Sequence, residues 1–389
     1  MSDVPDARQI AFLRDRVMPL LDRVAPAAIP AVMARALAGY LAPVPTPAGL
    51  TSAELVRRAI EFAGPARIPY AAMAPMVGDF FELTIPAVVM DDRRRLGIPR
   101  RPGEVAYDEW GVGNALTGRF WNQAVAHPLA GLQGLDGYRL PPLAAPRRYR
   151  WAGPLIRRAN AAGKYVVAPD PVCLGERARL LVGFEDVMVA AYADRSRLSA
   201  LLGRLADLTI ACVEQWRRQG HVHAFMTWDD WGLQTAPMVS PALFREVWAP
   251  HYARIIEAVH RAGMHHIWHC CGQIADLIPS MLELGSDVLQ IDQPRLLGHA
   301  QMAARFGGRA CFWNAVDVQW SPRPDVTLQE IDAEVQEMVR VLGAFGGGLM
   351  LRHYPQPWDI DLSAGKAEAI YRAFLRHGGD IDSPVHPAL

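Results

Sequence analysis

The sequence predicts a (β/α)8 barrel of the TIM type, preceded by a helical extension, and three observations predict it. From about residue 65 onward short apolar runs alternate with longer helical patterns, the order that gives parallel strands joined by helical crossovers. Eight strand-like runs can be counted, the number that closes a barrel. No Gly-x-Gly-x-x-Gly turn follows any of them; Gly346-Gly347-Gly348 precedes a run instead, which disfavours an open nucleotide-binding sheet.

Taken in order, residues 8–40 place Ile10, Leu13, Val17, Leu20, Leu21 and Val24 at helical spacing, with a second run through Met33 and Leu37. These are helices ahead of the main domain. A Pro-rich break over 42–47 leads to Thr51 and Ser52, either of which can cap a helix over 53–63. Residues 68–74 read as the first strand, and 80–96 contain a short helix whose run Asp91-Asp92-Arg93-Arg94-Arg95 is a solvated surface. Residues 105–111 read as the second strand and 165–168 as the third, separated by an irregular stretch over 127–150 and a helix over 154–162. Two long amphipathic segments, 178–193 and 195–218, follow.

The second half is more regular. Strands are expected over 221–228, 264–271, 288–292, 310–315 and 349–351, with helices over 241–261, 274–284, 298–306, 328–342 and 363–377. The organisation expected is an N-terminal helical extension (1–64), a barrel (65–379) and a C-terminal tail (380–389).

Composition narrows the partners. Forty basic residues balance forty acidic ones, so there is no electrostatic footprint for nucleic acid or an anionic membrane, and a small-molecule substrate or another protein is expected. No secretory signal pattern opens the chain, and no uncharged apolar run of about 18 residues occurs. Five sparsely spaced cysteines (Cys173, Cys212, Cys270, Cys271, Cys311) do not form a disulfide framework, which fits a reducing cytoplasm.

In a barrel the strand carboxyl ends converge on one face, so chemistry is sought there. The residues at those ends are Asp108, Glu109 and Trp110; Trp228, Asp229, Asp230 and Trp231; His269 and Cys271; Asp292 and Gln293; Trp313 and Asn314, with Asp317 just beyond; and Arg352 and His353. Alternation along a strand points His269 and Cys271 one way and Cys270 the other. An imidazole and a thiolate on one face are half of a zinc site, and a catalytic zinc commonly takes three protein ligands and keeps one position open. His353 is the first choice to complete it, with Asp292 as a competing third or additional ligand. The bland reading is a buried histidine among core cysteines.

Adjacent carboxylates face opposite ways, so only one of Asp229 and Asp230 enters the site easily, as a general acid or substrate holder, while the other caps backbone. Asp230, Asp229 and Asn314 are the catalytic candidates. Trp110, Trp228, Trp231 and Trp313, with Trp358 further on, suit an aromatic or quaternary-ammonium substrate. Glu109, Gln234 and Arg352 complete the candidate substrate-binding set.

Asp229-Asp230-Trp231-Gly232-x-Gln234, then Ser240-Pro241-x-x-Phe244, His269-x-Cys271-Gly272, Leu284-Gly285-x-Asp287-Val288-Leu289 and Gln293-Pro294, resembles the uroporphyrinogen decarboxylase superfamily. The resemblance runs from about Gly183 to the C-terminus, with Asp108-Glu109-Trp110-Gly111 as a weaker early echo. It implies a (β/α)8 barrel with its active site at the carboxyl face. True decarboxylases of that family carry an arginine-containing segment after the first strand that grips porphyrinogen carboxylates. The corresponding stretch here, residues 73–80, has no arginine, so tetrapyrrole decarboxylation is not expected.

The other branch implied is that of zinc-dependent methyltransferases working with corrinoid proteins, which carry His-x-Cys and a later Cys; this chain offers His353 near that last position. No Asp-x-His-x-x-Gly corrinoid motif occurs, so a corrinoid (cobalamin) would ride on a separate protein. The resemblance implies methyl transfer between that corrinoid and a small substrate, a methoxylated aromatic being preferred for an O-demethylating enzyme. The alternatives are a metal-free decarboxylase or lyase on a non-porphyrin substrate, and a non-catalytic scaffold that binds the corrinoid protein. A homodimer is compatible with the resemblance.

Overall fold

The computed structural model of the chain describes residues 41–46, 49–72, 76–83, 97, 99, 103–116, 122–355 and 357–379. The helices expected over 8–40, the charged run 91–95, part of the 73–80 segment and the tail 380–389 lie outside the described residues.

Helix α1 (Ser52–Ile60) starts where Thr51 accepts a hydrogen bond from the Glu54 N–H at 3.1 Å, so Thr51 is the cap. Two short strands follow, β1 (Tyr70–Ala71) and β2 (Phe80–Glu82), then an antiparallel sheet of β3 (Val105–Tyr107), β4 (Gly113–Leu116) and β5 (Asn122–Ala126). Helix α2 (Ala152–Ala161) leads into β6 (Tyr165–Pro169), and helices α3 (Leu174–Val182), α4 (Phe184–Ala193) and α5 (Arg195–Gln219) into β7 (Ala224–Trp228). Then come α6 (Pro241–Val247), α7 (Ala249–Arg261), β8 (His265–His269), α8 (Ile278–Glu283), β9 (Val288–Ile291), α9 (Pro294–Leu297) and α10 (His299–Phe306). The chain finishes with β10 (Cys311–Ala315), α11 (Leu328–Leu342), β11 (Leu349–Arg352) and α12 (Ala364–Gly378).

Eight strands run parallel in the order β1-β11-β10-β9-β8-β7-β6-β2, a nearly closed barrel. Its two edge strands meet where the Asp79 N–H donates to the Tyr70 carbonyl at 2.8 Å. The seam is locked by Asp79, fully buried, which accepts from Ser52 Oγ, from both terminal nitrogens of Arg67 at 2.7 Å and from the Tyr70 N–H.

Side chains alternate across each strand. Phe80, Val167, Met226, Ile267, Val288, Trp313 and Met350 fill the barrel interior, and Val56, Ala59 and Ile60 of α1 close its floor. Phe81, Val166, Phe225, Trp268, Leu289, Phe312 and Leu351 face the surrounding helices. Hydrophobic burial on both faces is what the near-continuous apolar runs of the second half encode.

The early strands require a correction. The second barrel strand is Phe80–Glu82, at the head of the 80–96 stretch in which the sequence reading placed a short helix and no strand, and Val105–Tyr107 is outside the barrel in the small antiparallel sheet. The reason lies in burial: Phe80, Phe81 and Glu82 are all buried, whereas Val105 and Tyr107 are exposed, the pattern of a sheet with one wet face.

Candidate metal centre

Parallel register sets the site out in layers. Trp228 of β7 is level with His269 of β8, His269 with Gln290 of β9, and Gln290 with Trp313 of β10. Two residues further along, Asp230, Cys271 and Asp292 follow the ends of β7, β8 and β9, with Arg352 ending β11.

Across these two layers three ligand-type side chains converge. His269 Nε2 lies 3.5 Å from Cys271 Sγ and 3.6 Å from Asp230 Oδ1, and all three ligand atoms fall within 4.8 Å of one another. Bond lengths of about 2.3 Å to sulfur and about 2.0 Å to nitrogen in a tetrahedral set put those two atoms about 3.5 Å apart. The donor set therefore fits zinc. His269 is buried, while the Asp230 side chain is 41% exposed, so the group opens to solvent on that side.

The loops that carry the donors are clasped together. Asp230 Oδ1 accepts the Cys271 N–H at 2.6 Å, the Gln273 N–H donates to the Leu233 carbonyl, and Gln293 Oε1 accepts the Gly272 N–H at 2.6 Å. Gly232 and Gly272 meet backbone to backbone: a Cβ on Gly232 would sit 2.4 Å from the Cys271 carbonyl oxygen, and one on Gly272 2.4 Å from the Gly232 carbonyl carbon. Gly272 also has φ +83°, in the left-handed region.

Electrostatics favour a cation. Burial, and then the carboxylates of Asp230 and Asp292, push the Cys271 thiol well up, so without a cation the sulfur keeps its proton. At the same strand ends Arg352 pairs with Glu82 at 2.8 Å, and its guanidinium lies 4.6 Å from the Trp313 ring and 5.6 Å from that of Trp228. Burial raises the Glu82 carboxyl, opposed by Arg352. Asp170, directly after β6, is buried with Oδ2 lacking a hydrogen-bond partner among the described residues, and burial pushes its carboxyl up to about 7.

Several expected site residues stand elsewhere. His353 continues the alternation of β11 outward: Nε2 is 2.9 Å from the Ala367 carbonyl and Nδ1 3.1 Å from that of Tyr354, so both nitrogens point at backbone and His353 is not in the donor cluster. Asp292 is not in the three-residue cluster either; its Oδ1 accepts from Gln290 Nε2 at 2.6 Å. Asp229 faces outward, accepting the Glu176 N–H at 2.6 Å near the start of α3 and the Tyr252 hydroxyl at 2.8 Å. Burial lifts its carboxyl to about 6. Asn314 shares the outward parity of Phe312 and is fully buried.

Of the indoles, Trp228 stands beside the donors, 4.9 Å from the His269 ring. Trp313 is sealed in the barrel interior, stacked on Phe80 at 4.4 Å with Nε1 donating to the Leu351 carbonyl, and cannot stack on a substrate. Trp231 is packed among Phe244, Trp248 and Tyr252 in the outer layer. Glu109 and Trp110 follow β3, away from any barrel strand end: Glu109 pairs with Arg148, and Trp110 lies under the Arg177 guanidinium at 4.3 Å. Gln234 is exposed on the loop after β7, Asp317 caps the backbone of Arg295, Gln319 and Trp320, and the Trp358 side chain lies outside what the structure describes.

Sequence reasoning missed Glu82 and Gln290. Gln290 was legible as the residue two before Asp292 on the same strand face; Glu82 had no signal beyond the apolar pair before it.

Residues 178–348 match the family model described as uroporphyrinogen decarboxylase (URO-D). The resemblance read from the motifs holds over that segment, which begins inside α3 and stops just short of β11. A methyltransferase from Methanosarcina mazei is similar in structure, with a TM-score of 0.57 at 14% identity, covering 83% of this chain and 98% of that one. A D-psicose 3-epimerase is a more distant likeness, with a TM-score of 0.37 at 10% identity over 61% of this chain and 86% of that one. No curated protein matches the sequence. At 14% identity the methyltransferase structure speaks for the barrel fold alone.

Proposed function

We propose that this barrel, of the uroporphyrinogen decarboxylase superfamily over residues 178–348, is a zinc-dependent methyltransferase. It would move a methyl group between a small substrate, a methoxylated aromatic being the leading class, and a corrinoid carried by a separate protein. The observation that carries the reading is the convergence of Asp230, His269 and Cys271. These three would hold the metal, with Asp230 as a ligand in place of the expected His353.

Zinc bound there supplies a Lewis acid for an ether oxygen, or a site that keeps a thiolate deprotonated at neutral pH. The chain supplies the rest. Trp228 gives an apolar wall beside His269, suited to a flat ring or a methyl group. The Glu82–Arg352 pair, buried at the same strand ends, would give the site a fixed charged wall. A cytoplasmic setting is supported by five free cysteines, and among the described residues no helix is long and apolar enough to cross a membrane.

The test is elemental analysis of the purified protein, followed by incubation with methoxylated aromatics and a methyl-accepting corrinoid protein, read by the absorbance of methylcobalt. Stoichiometric zinc and substrate-dependent methylcobalt are expected. Zinc-free protein that decarboxylates or cleaves a small acid would establish the lyase alternative. Zinc with corrinoid-protein binding and no transfer for any methyl donor would leave a scaffold.

A further inference from the structure

We infer that Gln290 is the positioning residue of the metal centre. Its amide, held one way round by Asp292, keeps the His269 proton on Nδ1 and leaves the Nε2 lone pair for the cation. The inference rests on the metal reading above and adds to it how the imidazole is prepared.

Gln290 is fully buried and level with His269 on the neighbouring strand. Its Oε1 is hydrogen-bonded to His269 Nδ1, and its Nε2 lies 2.6 Å from Asp292 Oδ1. An amide oxygen only accepts and an amide nitrogen only donates, so the Asp292 carboxylate decides the amide's orientation. Turned over, the amide would set its oxygen against a carboxylate and its nitrogen against the imidazole. In the observed orientation Nδ1 must be the donor.

A neutral imidazole has one donor and one acceptor nitrogen, which makes Nε2 the acceptor. That nitrogen faces Cys271 Sγ at 3.5 Å and Asp230 Oδ1 at 3.6 Å, where a cation would sit. Asp292, expected from the sequence as a ligand, then acts at one remove, through Gln290. Supporting groups of this kind typically change metal affinity by roughly 10- to 100-fold.

Two measurements test this. In zinc-free wild-type protein, nitrogen-15 spectra of the His269 ring should show the Nδ1–H tautomer; the Nε2–H tautomer overturns the inference, and no substitution is needed. Zinc affinity, measured by competition with a chromophoric chelator, should fall roughly 10- to 100-fold in Gln290→Leu and in Asp292→Asn. The double variant should bind no more weakly than Gln290→Leu alone. Additive losses would mean that Asp292 acts on the cation directly, as a ligand or through its charge, and not through Gln290, and undiminished affinity in Gln290→Leu would mean that the amide does not matter; either overturns the inference while leaving the metal reading intact. A wild-type chain that takes up no zinc overturns the metal reading, and the inference with it.

Discussion

At the amino end of the barrel, the buried Asp79 is surrounded by donors alone: Ser52 Oγ, two guanidinium nitrogens of Arg67 and the Tyr70 N–H. At the carboxyl end, Asp230, His269 and Cys271 turn lone pairs toward one another, and Asp170 and Asp229 are held buried with their carboxyl groups raised to about 7 and about 6. Both ends bury charge. The first arrangement is complete within the chain and belongs to the fold; in the second, among the described residues, no cationic side chain is hydrogen-bonded to the Asp170, Asp229 or Asp230 carboxylates, and Arg177 and Arg179 act on Asp170 and Asp229 through charge alone, at some cost in stability.

The largest effect is expected at the amino end. Arg67→Met leaves Asp79 buried without its cation and should lower the unfolding free energy by about 3–5 kcal/mol in denaturant titration, while zinc bound per folded molecule stays unchanged. A smaller loss would mean that the seam is not what the barrel closes on.

Next comes Asp170. Its folded-state carboxyl takes up a proton far more readily than its unfolded one, near 3.8 against about 7, so the folded form is favoured at low pH and loses that advantage as pH rises through this window. Asp229 behaves alike up to about 6, and Arg177 acts the opposite way on Asp170. Asp170→Asn should therefore flatten the decline and be the more stable protein at pH 8, by up to about 4 kcal/mol. Equal pH dependence in both proteins would remove Asp170 from the comparison.

Cys271→Ser sharpens the contrast from the other side. Zinc affinity should fall by more than roughly 100-fold, beyond the range for supporting groups, yet the metal-free variant should melt close to the wild-type temperature, because the sulfur's 3.5 Å contact with His269 Nε2 is one that a serine hydroxyl can also make. Thermal melts with and without a chelator check both halves. The smallest effect serves as a reference at neither end: Thr327→Ala removes the capping box of α11 and should cost about 1 kcal/mol, with zinc binding untouched.

The second half of the barrel was legible because each unit repeats an apolar run buried on both faces and a helix of ordinary length. The second strand was not. Phe80-Phe81-Glu82 is too short to show a period, while Val105-Ala106-Tyr107 ends in carboxylates as an active-site strand would and differs only in burial, which a sequence does not display. His269 and Cys271 were readable from alternation alone. His353 falls outside the cluster because β11 stops at Arg352, and one more step along a strand turns His353 to the helices. Alternation predicted that only one of Asp229 and Asp230 enters the site, and it is Asp230, but a ligand role depends on how the loops after β7 and β8 approach, and no spacing in the sequence encodes that distance.

That approach is governed by the meeting of Gly232 and Gly272, one beyond Trp231 and the other directly after Cys271. The consequence is a division of labour between reach and reactivity. Exchanging Asp230 or Cys271 for another donor would retune which ion the centre prefers at a fixed span, whereas a methyl group on either glycine would pry the two loops apart and spoil the span for every ion alike. Variation among relatives of such a centre is thus expected to be free in its ligands and frozen in its hinges.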